Sequence, residues 1–152
     1  MGEKGAGMRK LAVGFMTLLI LSGCAVPVAY KPYGTGLISS GGYSDTKIQE
    51  GLYRISFDGD SFTTSSRAAD LSMLRSAEVT LRDGYKYFTI SDDKSETVSG
   101  LTSVGYRRVA PDYYPVSVYI IRCYKEKPAD ASGIVYDAPE VSKNIKAQYK
   151  IK

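Results

Sequence analysis

Alternating apolar and polar positions predict two strands joined by a short turn in the first half of the chain. Residues 43–48 and 52–57 are rich in strand-forming residues, and residues 49–51 between them have hairpin length with a glycine at the end. One face of the second segment is apolar and consists of Tyr53, Ile55 and Phe57. This alternation is typical of a half-buried strand in an antiparallel sheet.

A helical period follows and predicts one long helix at residues 66–83. Ser66 can cap it, Asp70 is expected in its first turn, and Asp83-Gly84 supplies its stop. The apolar stripe expected to pack on the sheet consists of Met73, Leu74, Ala77 and Leu81. A charged stripe at ion-pairing spacing consists of Arg75, Glu78 and Arg82. We interpret the charged stripe as a solvated helix face, with a recognition surface as the alternative.

The second half of the chain has shorter segments. In order they predict a strand at 85–91, a polar loop at 92–100, a strand at 104–109, a turn or rim at 111–115, a strand at 116–124 and a loop at 127–133. The strand at 116–124 is apolar on both alternating sets, so we expect it at the centre of the sheet or covered on both faces. Asp137 and Glu140 form a capping pattern that predicts a second, short helix at about residues 139–147.

Together these elements predict an α+β fold. We expect an antiparallel sheet of four or five strands, with the long helix packed on one face and the short C-terminal helix beside it. Runs of strands with isolated helices favour this class over a doubly wound parallel sheet, which would alternate strand and helix strictly.

The N-terminus has the three parts of a secretory signal, which we assign to residues 1–23. Three basic residues precede an apolar run at 11–21, which is too short to span a bilayer, since that takes about 20 apolar residues. The run ends in Leu-Ser-Gly-Cys, which resembles the lipobox of bacterial lipoproteins. The resemblance implies cleavage between Gly23 and Cys24 and attachment of a diacylglycerol to Cys24. A plain secreted protein with a chance cysteine at the cut is the alternative.

Composition after the cut is nearly balanced. The whole chain has 20 basic and 16 acidic residues, but removing the four charged residues of the signal lowers the net charge from +4 to +2. The remaining signs are interspersed rather than gathered into a basic stripe, so a nucleic-acid partner is not predicted. Residues 24–42 contain repeated Gly, Pro and Ser with no period, which predicts a flexible tether before a single domain at 43–152.

Candidate chemistry is sparse. The chain has no histidine, so Cys123 has no imidazole base, and we interpret it as a buried small hydrophobe in a strand. Asp58 and Asp60 lie in a segment that resembles the start of a calcium loop, but the last loop position is Ala69 instead of glutamate. We therefore predict a simple turn there, and we predict no catalytic residue, no cofactor and no metal.

Several short motifs resemble a family of small uncharacterised lipoproteins of Gram-negative bacteria. They are GYSDT at 42–46, YRISF at 53–57, TSSR at 64–67, RSAEVTL at 75–81, GYKYF at 84–88 and YDA at 136–138 followed by Val141. Residues 92–114 depart from the family's pattern. The resemblance implies an envelope lipoprotein and carries over no catalytic residue.

Two functions remain open. The first is a noncatalytic lipoprotein that binds an envelope protein or peptidoglycan, with Tyr113, Tyr114 and the charged stripe as candidate surfaces. The tyrosines suit a contact surface because they combine large area with a polar tip. The second is a small hydrolase with carboxylates as acid and base, for which Asp58, Asp60, Asp92 and Asp93 are the candidates. Ala25 stands where an aspartate commonly retains such lipoproteins in the inner membrane, so the resemblance implies the periplasmic face of the outer membrane.

Overall fold

The computed structural model describes residues 27–35, 41–94, 96–104 and 107–152. The elements in chain order are β1 (Gly42–Gln49), β2 (Leu52–Asp58), α1 (Ser65–Arg82), β3 (Tyr87–Asp93), β4 (Glu96–Val104), β5 (Arg107–Tyr124), β6 (Tyr136–Asp137) and α2 (Ala138–Tyr149). The strands form one antiparallel sheet in the order β1-β2-β5-β3-β6, and β4 pairs with β5. The predicted α+β class is confirmed, with six described strands of which the last has two residues.

The first hairpin is as predicted. Strands β1 and β2 pair from Gly42↔Asp58 to Gln49↔Leu52, and Gly51 takes the positive φ of 70° that the turn needs. The apolar face of β2 is fully buried under α1, with Tyr53, Ile55 and Phe57 each 0% exposed. Strict alternation therefore identified the core face of this strand correctly.

Helix α1 stops at Asp83-Gly84 as predicted, with Gly84 at a φ of 81°, but its start and its apolar stripe differ from the prediction. Its cap is Thr64 instead of Ser66, because Thr64 Oγ1 accepts a hydrogen bond from the backbone N–H of Arg67 at 3.2 Å. Asp70 consequently lies beyond the first turn, which contains no acidic residue. Leu81 was expected to pack on the sheet but is 41% exposed.

Small hydroxyl residues, in place of Leu81, extend the buried face of α1. Ser76 Oγ donates to the carbonyl of Ser72 at 2.8 Å and Thr80 Oγ1 donates to the carbonyl of Ser76 at 2.7 Å, so both hydroxyls are satisfied inside the helix. Ser72 Oγ donates across to the carbonyl of Ser117 in β5 at 3.1 Å. These short side chains let the helix backbone approach the central strand closely.

Strand β5 is central, as predicted for residues 116–124. It pairs with β2 on one side and with β3 and β4 on the other. Its helix-facing residues are buried, and Cys123 among them is a free thiol with 6% exposure, which confirms it as a small core residue. The opposite face, which carries Val116, Val118 and Ile120, is half-buried.

The segment between β3 and β5 was predicted incorrectly. The expected polar loop at 92–100 instead contains the end of β3 and the start of β4. The expected turn at 111–115 lies inside β5, and the expected strand at 104–109 covers the end of β4 and the start of β5, with residues 105–106 outside the described part. The ladder with β5 supplies hydrogen bonds that local composition cannot reveal.

Part of the predicted tether is packed against the domain. Val28 is 3% exposed, and its N–H donates to Thr63 Oγ1 at 3.3 Å. Pro32 forms a parallel bridge with Tyr43, whose ring lies 4.6 Å from that of Tyr30. The flexible-tether interpretation is therefore wrong for residues 27–35.

Helix α2 packs against α1 and closes the second part of the core with Ile145. The predicted capping pattern is confirmed, since Asp137 Oδ1 accepts from the N–H of Glu140 at 3.1 Å. The helix also holds α1 by polar contacts, because Tyr149 Oη donates to Asp70 Oδ2 at 2.6 Å.

Candidate functional site: a projecting β-hairpin

Strands β3 and β4 follow one another along the same side of β5, so these three strands form one long antiparallel ribbon. Its base lies inside the sheet, where β2 flanks β5 as far as Val116. Beyond that point β4 pairs with β5 from Glu96↔Val116 to Val104↔Arg107, and no other described strand joins them. We call residues 96–104 and 107–115 the arm. At about 3.3 Å per residue the nine residues of β4 extend roughly 30 Å.

Hydrogen bonds at the base fix which way the backbone groups of the arm point, as far as the shift in register between Thr102 and Val104. The carbonyl of Pro115 accepts from Gly59 N at 2.8 Å, on the β2 side, whereas the carbonyl of Val118 accepts from Lys94 N at 2.9 Å, on the other side. Because these directions alternate along an antiparallel strand, residues 111, 113 and 115 of β5 point away from β4. Pro111 and Pro115 have no N–H, so this edge of the arm has few donors for another strand.

Two tyrosines predicted as a contact surface lie on the arm. Tyr113 is 61% exposed, and its neighbour Tyr114 is half-buried on the opposite face of the strand. Tyr119, further along β5, is in the core at 5% exposure.

The charged stripe of α1 is occupied inside the domain. Arg75 Nε donates to Asp45 Oδ1 at 2.9 Å and Arg75 Nη1 contacts Glu78 Oε2 at 3.3 Å, with side chains 17% and 23% exposed for the arginine and the glutamate. Arg82, at 48% exposure, binds the other oxygen of Asp45 at 2.9 Å. The solvated-face interpretation is wrong for Arg75 and Glu78. Arg75 joins α1 to β1, and Glu78 joins α1 to Tyr30 and to Lys146 of α2.

The pKa values of these carboxyls reflect the ion pairs. Burial acts to raise the pKa of Asp45, but the hydrogen bonds from Arg82 and Arg75 outweigh it and the net change is downward. Burial also acts to raise the pKa of Glu78, but hydrogen bonds from Tyr30 and Lys146 outweigh it and bring the pKa below its ordinary value. Hydrogen bonds from Arg82 and Tyr53 lower the pKa of Asp83 to about 2. All three carboxyls therefore act as structural anions.

The carboxylates considered for hydrolysis are spread over different elements. Asp60 Oδ1 accepts from Phe62 N at 3.1 Å and from Thr63 Oγ1 at 2.6 Å, which makes it the organiser of the predicted turn. Burial raises the pKa of Asp58 at the end of β2. Asp92 and Asp93 are exposed in β3. The described residues contain no group of three or more Cys, Asp or Glu side chains that could hold a metal ion.

A cleft of about 180 Å³ lies where the arm leaves the sheet, next to the start of α1. Its lining consists of Ser65, Ala68, Glu96, Thr97, Pro115, Val116 and Ser117. Glu96 is the single carboxylate among them. Sequence reasoning missed this cleft because its walls come from three segments that lie 28 and 18 positions apart in the chain, and no local motif marks them.

The predicted lipidation site lies outside the described part of the chain, so Gly23 and Cys24 have no structural account. Among the helices that the structure describes, none is long and apolar enough to cross a membrane.

Comparison with known proteins gives no relative. No family model, no curated protein and no solved structure matches this chain.

Proposed function

We propose that this protein is a noncatalytic lipoprotein of the Gram-negative envelope, anchored to the outer membrane by lipid on Cys24. The folded domain faces the periplasm and binds an envelope protein or peptidoglycan. The single observation that carries the binding role is the arm, which extends well beyond the layer covered by the helices.

The energetics of the arm support this role. A two-stranded ribbon is marginal in water by itself, because it buries little apolar surface. A chain that needed only a stable core would gain little from extending β5 to 18 residues when its neighbour β2 has 7. The extra length makes sense as a surface presented to a partner, and Tyr113 adds an exposed aromatic ring with a polar tip.

The anchor is supported by the apolar run, the small residues before Cys24 and the absence of aspartate at position 25. Fatty-acid labelling of the full chain in a Gram-negative host tests it. Wild type should incorporate label and sediment with outer-membrane porins in a density gradient, whereas Cys24→Ser should lose both. Recovery of labelled wild type with the inner membrane would contradict the sorting step alone.

The binding role is tested in intact envelope. A photo-crosslinking residue at Tyr113 of the full chain should capture a protein or glycan strand, and the same residue at Tyr33 serves as the control. Tyr33 is 54% exposed but lies outside the arm. Equal capture at the two positions, or capture at neither, would contradict a binding role for the arm.

A further inference from the structure

We propose that the outer edge of β4 pairs with the same edge of a second copy of this chain, which gives an antiparallel, two-fold symmetric dimer. The sheet would then continue from β5 through β4 into the β4 and β5 of the other copy. The inference rests on the proposed binding role of the arm and names its partner.

Half of the backbone groups of β4 point away from β5. Since Val118 and Val116 point toward β4, their ladder partners at even positions such as Glu96 point back toward β5. The N–H and C=O groups of residues 97, 99 and 101 therefore point the other way. No strand in the described part of the chain pairs with this edge.

The two edges of the arm differ in proline content. The β5 edge has proline at positions 111 and 115, and the carbonyl of Pro115 is already bonded to Gly59 N. Proline on an edge is a common protection against strand addition. The β4 edge has no proline from Glu96 to Val104. Residues 97–104 also contain no lysine or other charge, which is the second usual protection. Proline therefore interrupts the β5 edge and not the β4 edge.

The symmetry and the lack of charge along this edge favour a second copy of the chain as the occupant. A two-fold axis through this edge makes the two β4 strands antiparallel. Whichever outward-pointing residue lies nearest the axis, the outward N–H and C=O groups of one strand then face those of the other. Because residues 97–104 are uncharged, no like charges meet across the axis. The pairing also closes, since it uses up the open edge of both copies and leaves the proline edges outside.

The test uses the full chain with two different affinity tags, co-expressed and solubilised in mild detergent. Ser99→Pro removes an outward N–H of β4 without removing a bond of the β4–β5 ladder. Its matched control is Lys47→Pro, which removes an outward N–H from β1, an edge strand outside the arm. A second variant, Ser99→Lys, keeps the N–H and adds a charge close to the axis.

We expect wild-type copies to co-purify, Ser99→Pro to lower co-purification about tenfold or more, and Lys47→Pro to leave it unchanged. Ser99→Lys should weaken co-purification and recover in part at high salt, because screening reduces the repulsion between the two lysines. Circular dichroism of each variant checks that the domain is folded.

Wild-type copies that do not co-purify would overturn the proposal, and so would co-purification that survives both Ser99 variants. Capture of a different protein by the arm, without self-association, would also overturn the dimer but would leave the proposed binding role intact. Loss of fatty-acid labelling in wild type would bear on the anchor only.

Discussion

Arg75 in α1 donates a hydrogen bond from Nε to Oδ1 of Asp45 in β1 over 2.9 Å, and the two residues are 30 positions apart in the chain. The guanidinium carbon of Arg75 also lies 4.2 Å from the ring centre of Tyr43 in the same strand. The edge strand is therefore held to the helix by one arginine through both an ion pair and a cation–π contact.

Arg75→Ala should lower the free energy of unfolding by roughly 1 to 3 kcal/mol, because it leaves the half-buried Asp45 without its main partner. Arg82→Ala is the matched control. Arg82 binds the same aspartate but is 48% exposed, so its removal should cost about 1 kcal/mol or less. Denaturant unfolding of both variants measures the difference. Equal losses of unfolding free energy in the two variants would show that burial does not make the Arg75–Asp45 pair more stabilising than the Arg82–Asp45 pair.

Stability should decrease at low pH through Asp83. Its folded pKa of about 2 lies below the ordinary value of 3.8, so its contribution to stability is fully present above the higher value and is lost as pH falls toward the lower one. Unfolding free energies measured from about pH 5 down to pH 2 should fall, with Asp45 and Glu78 acting in the same direction.

Two variants isolate the contribution of Asp83. Asp83→Asn should flatten this pH dependence, and Tyr53→Phe, which removes one donor to the carboxylate at 2.6 Å, should flatten it less. A pH dependence of Asp83→Asn as steep as that of wild type would rule out this carboxyl as a source.

Cys123 should resist thiol reagents in the folded protein. Burial raises the pKa of its thiol, and a hydrogen bond with Thr80 Oγ1 at 3.3 Å does not offset that effect. In a Cys24→Ser chain, maleimide at neutral pH should label almost nothing until denaturant is added, when one thiol per chain reacts. Ser132→Cys in the same chain places a thiol in an exposed loop and should label at once. Rapid labelling of native Cys123 would contradict its burial.

Tyr30 should contribute measurably to stability although it lies in the segment that sequence composition assigns to a tether. Its hydroxyl donates to Glu78 Oε2 at 2.6 Å, and a hydrogen bond to a charged group contributes about 1.5 to 3 kcal/mol. Tyr30→Phe should lower the unfolding free energy by an amount in that range. Tyr33→Phe, at a 54% exposed position in the same segment, should change it by less than about 0.5 kcal/mol. A silent Tyr30→Phe would mean that the segment is not docked in solution.

The elements that local pattern predicted well are those whose burial follows their own period. The alternation of Tyr53, Ile55 and Phe57 identified β2 because one face of that strand meets the core and the other meets solvent. Helix α1 was predicted for the same reason. Its buried stripe was expected to include Leu81, but Ser76 and Thr80 are buried instead. Hydroxyls that bond their own helix backbone are compatible with a core, and a hydrophobicity count cannot register that.

The arm could not be predicted, because its strands depend on each other. Residues 92–100 are polar and contain Gly100, and residues 111–115 contain two prolines, so each segment alone reads as a loop. Their hydrogen bonds come from the opposite strand, and the prolines are tolerated because their missing N–H groups would point outward. The pairing of Asp45 with Arg75 was equally hidden, since neither residue is marked by its neighbours.

The docked N-terminal segment also sets how far the domain can stand from a membrane. With Cys24 carrying lipid, as proposed, only the chain between Cys24 and the buried Val28 connects the membrane anchor to the folded domain. Four fully extended residues span at most about 14 Å. The domain is then confined to a thin layer at the bilayer surface. The arm, at roughly 30 Å, is about twice as long as this connecting segment.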